Sequence, residues 1–77
     1  MDVEREIISI IAEVSGFETE EISMNSSLED LDIDSIRAIE ITVALEKKFK
    51  ISIRDEDVPE MRTVKAAIDK VNQLLNG

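Results

Sequence analysis

Residues 28–49 read LEDLDIDSIRAIEITVALEKKF, and this stretch decides the fold. From residue 35 onward the apolar side chains recur at helical spacing. Ala38, Ile41, Thr42, Leu45 and Phe49 share one face of a wheel, which is assigned to a core. Asp34 or Ser35 caps the start of this helix, and Phe49 ends it. The opposite side carries Ile36, Arg37, Glu40, Val43, Glu46 and Lys47. It is mostly charged, with Ile36 and Val43 set within the charge. Two readings of it stand: a central helix that buries two sides, or an exposed apolar pair ringed by charge, as in a docking surface.

Just before the helix, Asp30, Asp32 and Asp34 alternate, as at the opening of a calcium loop. The sixth position of such a loop needs a glycine and here holds Ser35. The twelfth needs a bidentate glutamate and here holds Ile41. No metal site is expected. Ser35 itself lies where a long loop meets a helix start. Backbone N–H groups and the helix dipole favour a negative group there, so a phosphodiester on this hydroxyl would sit in a suitable field. An ordinary capping serine has the same local sequence.

Working outward, residues 2–15 place Val3, Ile7, Ile10 and Val14 at helical spacing, with Ile8 and Ile11 beside them. Asp2 caps this first helix, Glu4 and Glu6 suit its positive end, and Gly16 stands where it stops. Residues 17–33 show no sustained period. They read as a long loop, with Asn25-Ser26-Ser27 at its centre and Phe17, Ile22, Met24, Leu28, Leu31 and Ile33 as apolar anchors. A loop of this length in a small domain is often functional. Residues 50–54 read as loop, and residues 55–61 as a short helical turn limited by Pro59. Thr63 caps a last helix with Val64, Ala67, Ile68, Val71 and Leu74 or Leu75 inward. The expected fold is all-α: a small four-helix bundle, with three main helices plus a short third helix and a long loop between helices 1 and 2. Residues 1–77 are expected to form one domain.

Composition narrows the function. A chain of 77 residues buries only about 60% of the surface its unfolded form exposes, which leaves little for a deep enclosed active site. It has no cysteine, histidine, tyrosine or tryptophan. A thiol nucleophile, the commonest general base and the commonest neutral metal ligand are therefore missing, and no nucleophile–base pair can be assembled. No catalytic residue is expected. The net charge is −9, from 18 acidic and 9 basic side chains. Such a polyanion repels nucleic acid and anionic lipid; its acidity either suits protein partners with basic surfaces or only keeps a small domain soluble. There is neither an apolar run long enough to span a membrane nor a signal peptide, and the chain is expected to be cytoplasmic and monomeric.

The register around Ser35 resembles a known family. Leu28-Glu29-Asp30-Leu31-Asp32-Ile33-Asp34-Ser35-Ile36 is similar to the attachment region of acyl carrier proteins, whose core typically reads Leu-Gly-x-Asp-Ser-Leu. Downstream, Glu40-Ile41, then Ala44-Leu45-Glu46 and Phe49, look like the family's second helix. Val64-Lys65-Ala66-Ala67-Ile68-Asp69 looks like the start of its last helix. Each motif is short, but their order and spacing cover essentially the whole chain.

The resemblance implies a carrier and not an enzyme. A phosphopantetheinyl transferase would place 4′-phosphopantetheine on Ser35, with Asp34 and Ile36 flanking the attachment point. The arm's thiol would then hold a covalent acyl chain as a thioester, supplying the sulfur chemistry that the chain lacks. Acyl-transferring and ketosynthase-type enzymes would be the other partners. Asp34, Glu40 and Glu46 match acidic positions that meet basic patches on such partners, and Ile36 and Val43 match the apolar part of the contact. In the family the acyl chain can fold back between the helices, and the Ile, Val, Leu and Phe side chains here are compatible with that.

This chain also departs from the family pattern. The usual glycine two residues before the motif aspartate is Asp32, and the usual leucine after the serine is Ile36. Aspartate tolerates unusual backbone angles, so the loop can still form. Arg37, Lys47, Lys48 and Lys50 add positive charge to a helix that is strongly acidic in housekeeping fatty-acid carriers. This points to a secondary pathway, such as a specialised lipid or polyketide route. A peptidyl or D-alanyl carrier would use the same arm on the same serine. An unmodified helical interaction domain, with Ser35 as a plain cap, would refuse the arm.

Overall fold

A computed structural model describes residues 2–76. Helix α1 spans Val3–Ser15, α2 spans Ser35–Phe49 and α3 spans Val64–Asn76. Short 3₁₀ helices occupy Thr19–Glu21 and Asp55–Glu60. The all-α expectation holds: three long helices and the short Asp55–Glu60 helix surround a common core, and the α1–α2 connection is long. The described residues contain no strand, only an isolated bridge between Ser27 and Thr63.

Each long helix starts on a side-chain cap. Asp2 accepts the Arg5 N–H at 3.2 Å, Asp34 accepts the Arg37 N–H at 2.9 Å, and the Thr63 hydroxyl accepts the Ala66 N–H at 3.0 Å. The cap of α2 is thus Asp34, and Ser35 is its first helical residue. Gly16 ends α1 in the left-handed region at φ 82°, where a side chain would be strained.

The buried face of α1 differs slightly from the sequence reading. Ile7 and Ile11 are fully buried, whereas Val3, Ile10 and Val14 are only partly so. The reason is that α1 packs against both α2 and α3, so its innermost line lies between the two rows of apolar residues. On α2, Ile41, Thr42 and Leu45 are buried, with Ala38 and Phe49 at the margins. The Thr42 hydroxyl donates to the Ala38 carbonyl at 2.9 Å, which satisfies the one polar side chain in this part of the core. On α3, Val64, Ala67, Ile68 and Val71 are buried. Leu74 packs against them, while Leu75 is exposed.

The long connection is well tied down. Ile22, Leu31 and Ile33 are buried, and Phe17, Met24 and Leu28 pack against the core. Its Thr19–Glu21 turn was not expected, because these polar residues carry no apolar period; the Glu18 N–H donates to the Glu21 carboxylate at 3.0 Å and closes it. Main-chain bonds join the loop to the start of α3: Leu28 N–H to Arg62 O at 2.8 Å, Val64 N–H to Ser26 O at 3.0 Å, and Lys65 N–H to Met24 O at 3.1 Å.

Two non-glycine residues adopt the left-handed region, Asp32 at φ 57° and Lys50 at φ 55°. Lys50 terminates α2, and its N–H bonds to the Glu46 carbonyl. A lysine in this conformation is strained where glycine is not. Lys50→Gly is expected to raise stability by about 1 kcal/mol, read as a higher urea midpoint with an unchanged slope.

Candidate functional site

Ser35 is exposed at the first turn of α2. Its position follows from the loop before it. The Leu28 carbonyl accepts the Leu31 N–H at 3.1 Å and the Ile33 N–H at 2.9 Å, folding residues 28–33 into a compact turn. Asp32 lies in that turn with its left-handed backbone, a geometry that aspartate tolerates better than most side chains. Leu31 and Ile33 point into the core, so Asp32 and Asp34 point out. Asp34 then caps the helix and fixes the direction in which Ser35 leaves the turn.

The Ser35 hydroxyl makes no hydrogen bond among the described residues, and it is free for chemistry. It stands at the rim of a groove of about 400 Å³. Leu28, Ile33 and Ala38 form one side of the groove, and Val58, Met61 and Arg62 the other. Directly beneath lies a small gap of about 10 Å³ that shares Leu28, Ala38, Val58 and Met61 and reaches Ile11, Ile41, Thr42 and Ala67. The groove thus leads from Ser35 toward the centre of the bundle. These features suit a phosphodiester-linked arm: a free hydroxyl, the positive end of a fifteen-residue helix, and an adjoining apolar groove.

Of the two readings of the outer face of α2, exposure decides for the open one. Ile36 is 69% exposed and Val43 42% exposed. Ile39, which the sequence reading left unassigned, is 56% exposed. It lies three residues after Ile36 and four before Val43, so the helical 3–4 spacing could have found it. Glu40 and Lys47 are exposed on the same side.

Two other residues read as docking groups have structural partners. The Arg37 guanidinium donates to the Val14 carbonyl at 2.8 Å, capping the last turn of α1. Glu46 is half-buried, and its carboxylate accepts the Ile53 N–H at 2.9 Å, which holds residues 50–54 against α2. Neither contact has a local signal, since the partners lie 23 and 7 residues away. Met61, Val58 and Arg62 were likewise missed as groove residues, because they follow no period. The alternating aspartates do not converge: among the described residues no group of acidic side chains is placed to hold a metal ion.

A family model described as the phosphopantetheine attachment site matches residues 5–71. The chain belongs to this family. Its fold is that of acyl carrier proteins. The solution structure of an apo doublet acyl carrier protein from prodigiosin biosynthesis is 30% identical, with a TM-score of 0.79 over 92% of this chain. The chain spans only 35% of that protein's length. The crystal structure of an acyl carrier protein from Thermotoga maritima is 29% identical, with a TM-score of 0.81, covering 94% of this chain and 85% of that one. The chain is accordingly a carrier domain for covalent 4′-phosphopantetheine, and such domains carry groups without catalysing reactions. A carrier of this type works with a phosphopantetheinyl transferase and with biosynthetic enzymes. No helix among the described residues is long and apolar enough to cross a membrane.

The Glu46 contact is separable from any docking role. Glu46→Ala should lower stability by about 1–2 kcal/mol by leaving the Ile53 N–H without its acceptor, and Glu46→Gln should cost less than half of that. Thermal unfolding of the two variants reads the difference.

Proposed function

We propose that the protein is an acyl carrier that works as a cytoplasmic monomer and bears its 4′-phosphopantetheine on Ser35. One observation carries the assignment: the unbonded Ser35 hydroxyl stands at the first turn of α2 and at the mouth of an apolar groove. Asp34 fixes that turn through its bond to the Arg37 N–H, and the helix dipole favours the phosphodiester. When bound, the arm supplies the thiol on which an acyl group is held as a thioester. Leu28, Ile33, Ala38, Val58 and Met61 offer that acyl chain an apolar refuge. The apolar lining favours an acyl cargo over an aminoacyl one. Acyl-transferring and ketosynthase-type enzymes would meet the exposed side of α2 through Ile36, Ile39, Glu40 and Val43.

We further propose a dedicated role in a specialised lipid or polyketide route. The support is the positive charge of Lys47, Lys48 and Lys50 near the end of α2, together with the similarity to a carrier from prodigiosin biosynthesis. In competition with a housekeeping carrier for a fatty-acid ketosynthase, the protein should be the poorer substrate; equal use would count against a dedicated role.

Intact mass after incubation with coenzyme A and a broad-specificity phosphopantetheinyl transferase tests the attachment. One added phosphopantetheine on the parent and none on Ser35→Ala is the expected result. A folded parent that gains no mass, or a Ser35→Ala variant that still gains it, would overturn the assignment.

A further inference from the structure

The exposed stripe of α2 changes sign along its length. Ile36, Val43 and Lys47 fall within about 40° of one another around the helix axis, with Glu40 beside them and Ile39 at the edge. Ahead of α2, Asp32 and Asp34 are exposed carboxylates, and on the stripe itself the acidic residue is Glu40. Lys47 stands on the same line about 10 Å beyond Glu40.

The other basic residues of α2 have occupations toward α1. Arg37 donates to the Val14 carbonyl at 2.8 Å, and Lys48 pairs with Glu6 at 3.3 Å. Lys47 borders a shallow groove that also contains Glu6 and Glu13, yet it forms no ion pair among the described residues. Nor does Glu40. Within the helix, Lys47 has Val43 and Ala44 at its i−4 and i−3 positions, and Glu40 has Val43 and Ala44 at i+3 and i+4. Glu40 also has Arg37 at i−3, but that guanidinium is turned to the Val14 carbonyl and forms no ion pair with Glu40, so neither charge is paired along the stripe. Two unpaired charges of opposite sign flank an exposed apolar residue on one line.

We propose that this stripe docks an enzyme of the carrier's own pathway whose patch is bipolar: basic where it meets Glu40, and acidic where it meets Lys47. The inference rests on the carrier reading above and adds the sign of the partner's charge at its far end. A uniformly basic patch would place a like charge against Lys47, which slows encounter and selects against that enzyme. An acidic group at that one point converts the same residue into an anchor of orientation, with the arm on Ser35 at the opposite end of the stripe.

The test uses the phosphopantetheine-loaded, acylated protein and a fatty-acid ketosynthase with a uniformly basic patch. Intact mass first verifies loading on Ser35 for the parent, Lys47→Glu and Lys65→Glu. If loading fails, the carrier reading falls rather than this inference. With the unmodified ketosynthase, Lys47→Glu should raise kcat/KM by about fivefold at low salt, and the gain should shrink as salt rises. Lys65→Glu makes the same change in net charge on α3, outside the stripe, and should give less than half that gain. Each basic residue of the ketosynthase patch is then replaced by glutamate in turn. At one position the preference should reverse, with the parent carrier faster than Lys47→Glu. Equal gains from the Lys47 and Lys65 variants, or no position at which preference reverses, would overturn the proposal. So would a concentration-dependent dimer of the parent that Lys47→Glu abolishes, since the stripe would then serve a second copy of this chain.

Discussion

The short main-chain ladder between residues 24–28 and 62–65 is the constraint on which the rest of the molecule depends. Leu28 is its node. Its N–H is held by the Arg62 carbonyl, and its own carbonyl gathers the N–H groups of Leu31 and Ile33. The first bond ties the long connection to the start of α3, and the other two set the turn that delivers Asp34 and Ser35 to α2. One residue thus links the wall of the groove that contains Met61 to the wall that contains Ser35. A loop of seventeen residues that floated free would leave the hydroxyl without a defined surface beside it.

Helix α2 is divided lengthwise among three tasks. Ile41, Thr42 and Leu45 belong to the core. The flank toward α1 holds Arg37 and Lys48, whose bonds to Val14 and Glu6 brace the two helices. The remaining stripe exposes Ile36, Ile39 and Val43 to water. Three large apolar side chains left in solvent on one side of the helix bring no stability to a free monomer, and such patches mark interaction surfaces. Their small area suits brief contacts, as a carrier that visits several enzymes requires.

Much of this was legible from residue type and spacing. The wheel of residues 35–49 separated Leu45 from Val43 correctly, because burial on a helix follows its period. Asp2, Thr63 and Gly16 marked helix ends, because capping is a local event between neighbours in sequence. Ser35 stood out through the register of its surroundings. What stayed hidden was the set of contacts that join distant residues. Nothing near Arg37 in the sequence signals its bond to the Val14 carbonyl, and nothing near Glu46 signals its bond to the Ile53 N–H. Ile39 was hidden for a different reason: it sits at the border between the buried and exposed sectors of the wheel, and only the packing of α2 decides which side such a residue joins.

Asp32 shows how local strain and surface charge are weighed against each other at this site. At φ 57° a glycine would rest more easily, and glycine is what the family usually has there. Aspartate accepts the left-handed backbone at a modest cost, on the order of 1 kcal/mol. In a core of this size that is a noticeable fraction of total stability. Against the cost, Asp32 adds an exposed carboxylate to those of Asp30 and Asp34 just ahead of Ser35. These carboxylates lie at the end of α2 opposite to Lys47. A glycine at residue 32 would relax the turn and remove one of them. Aspartate keeps the contrast between the two ends of α2, and that contrast is what would let a partner tell which end carries the arm.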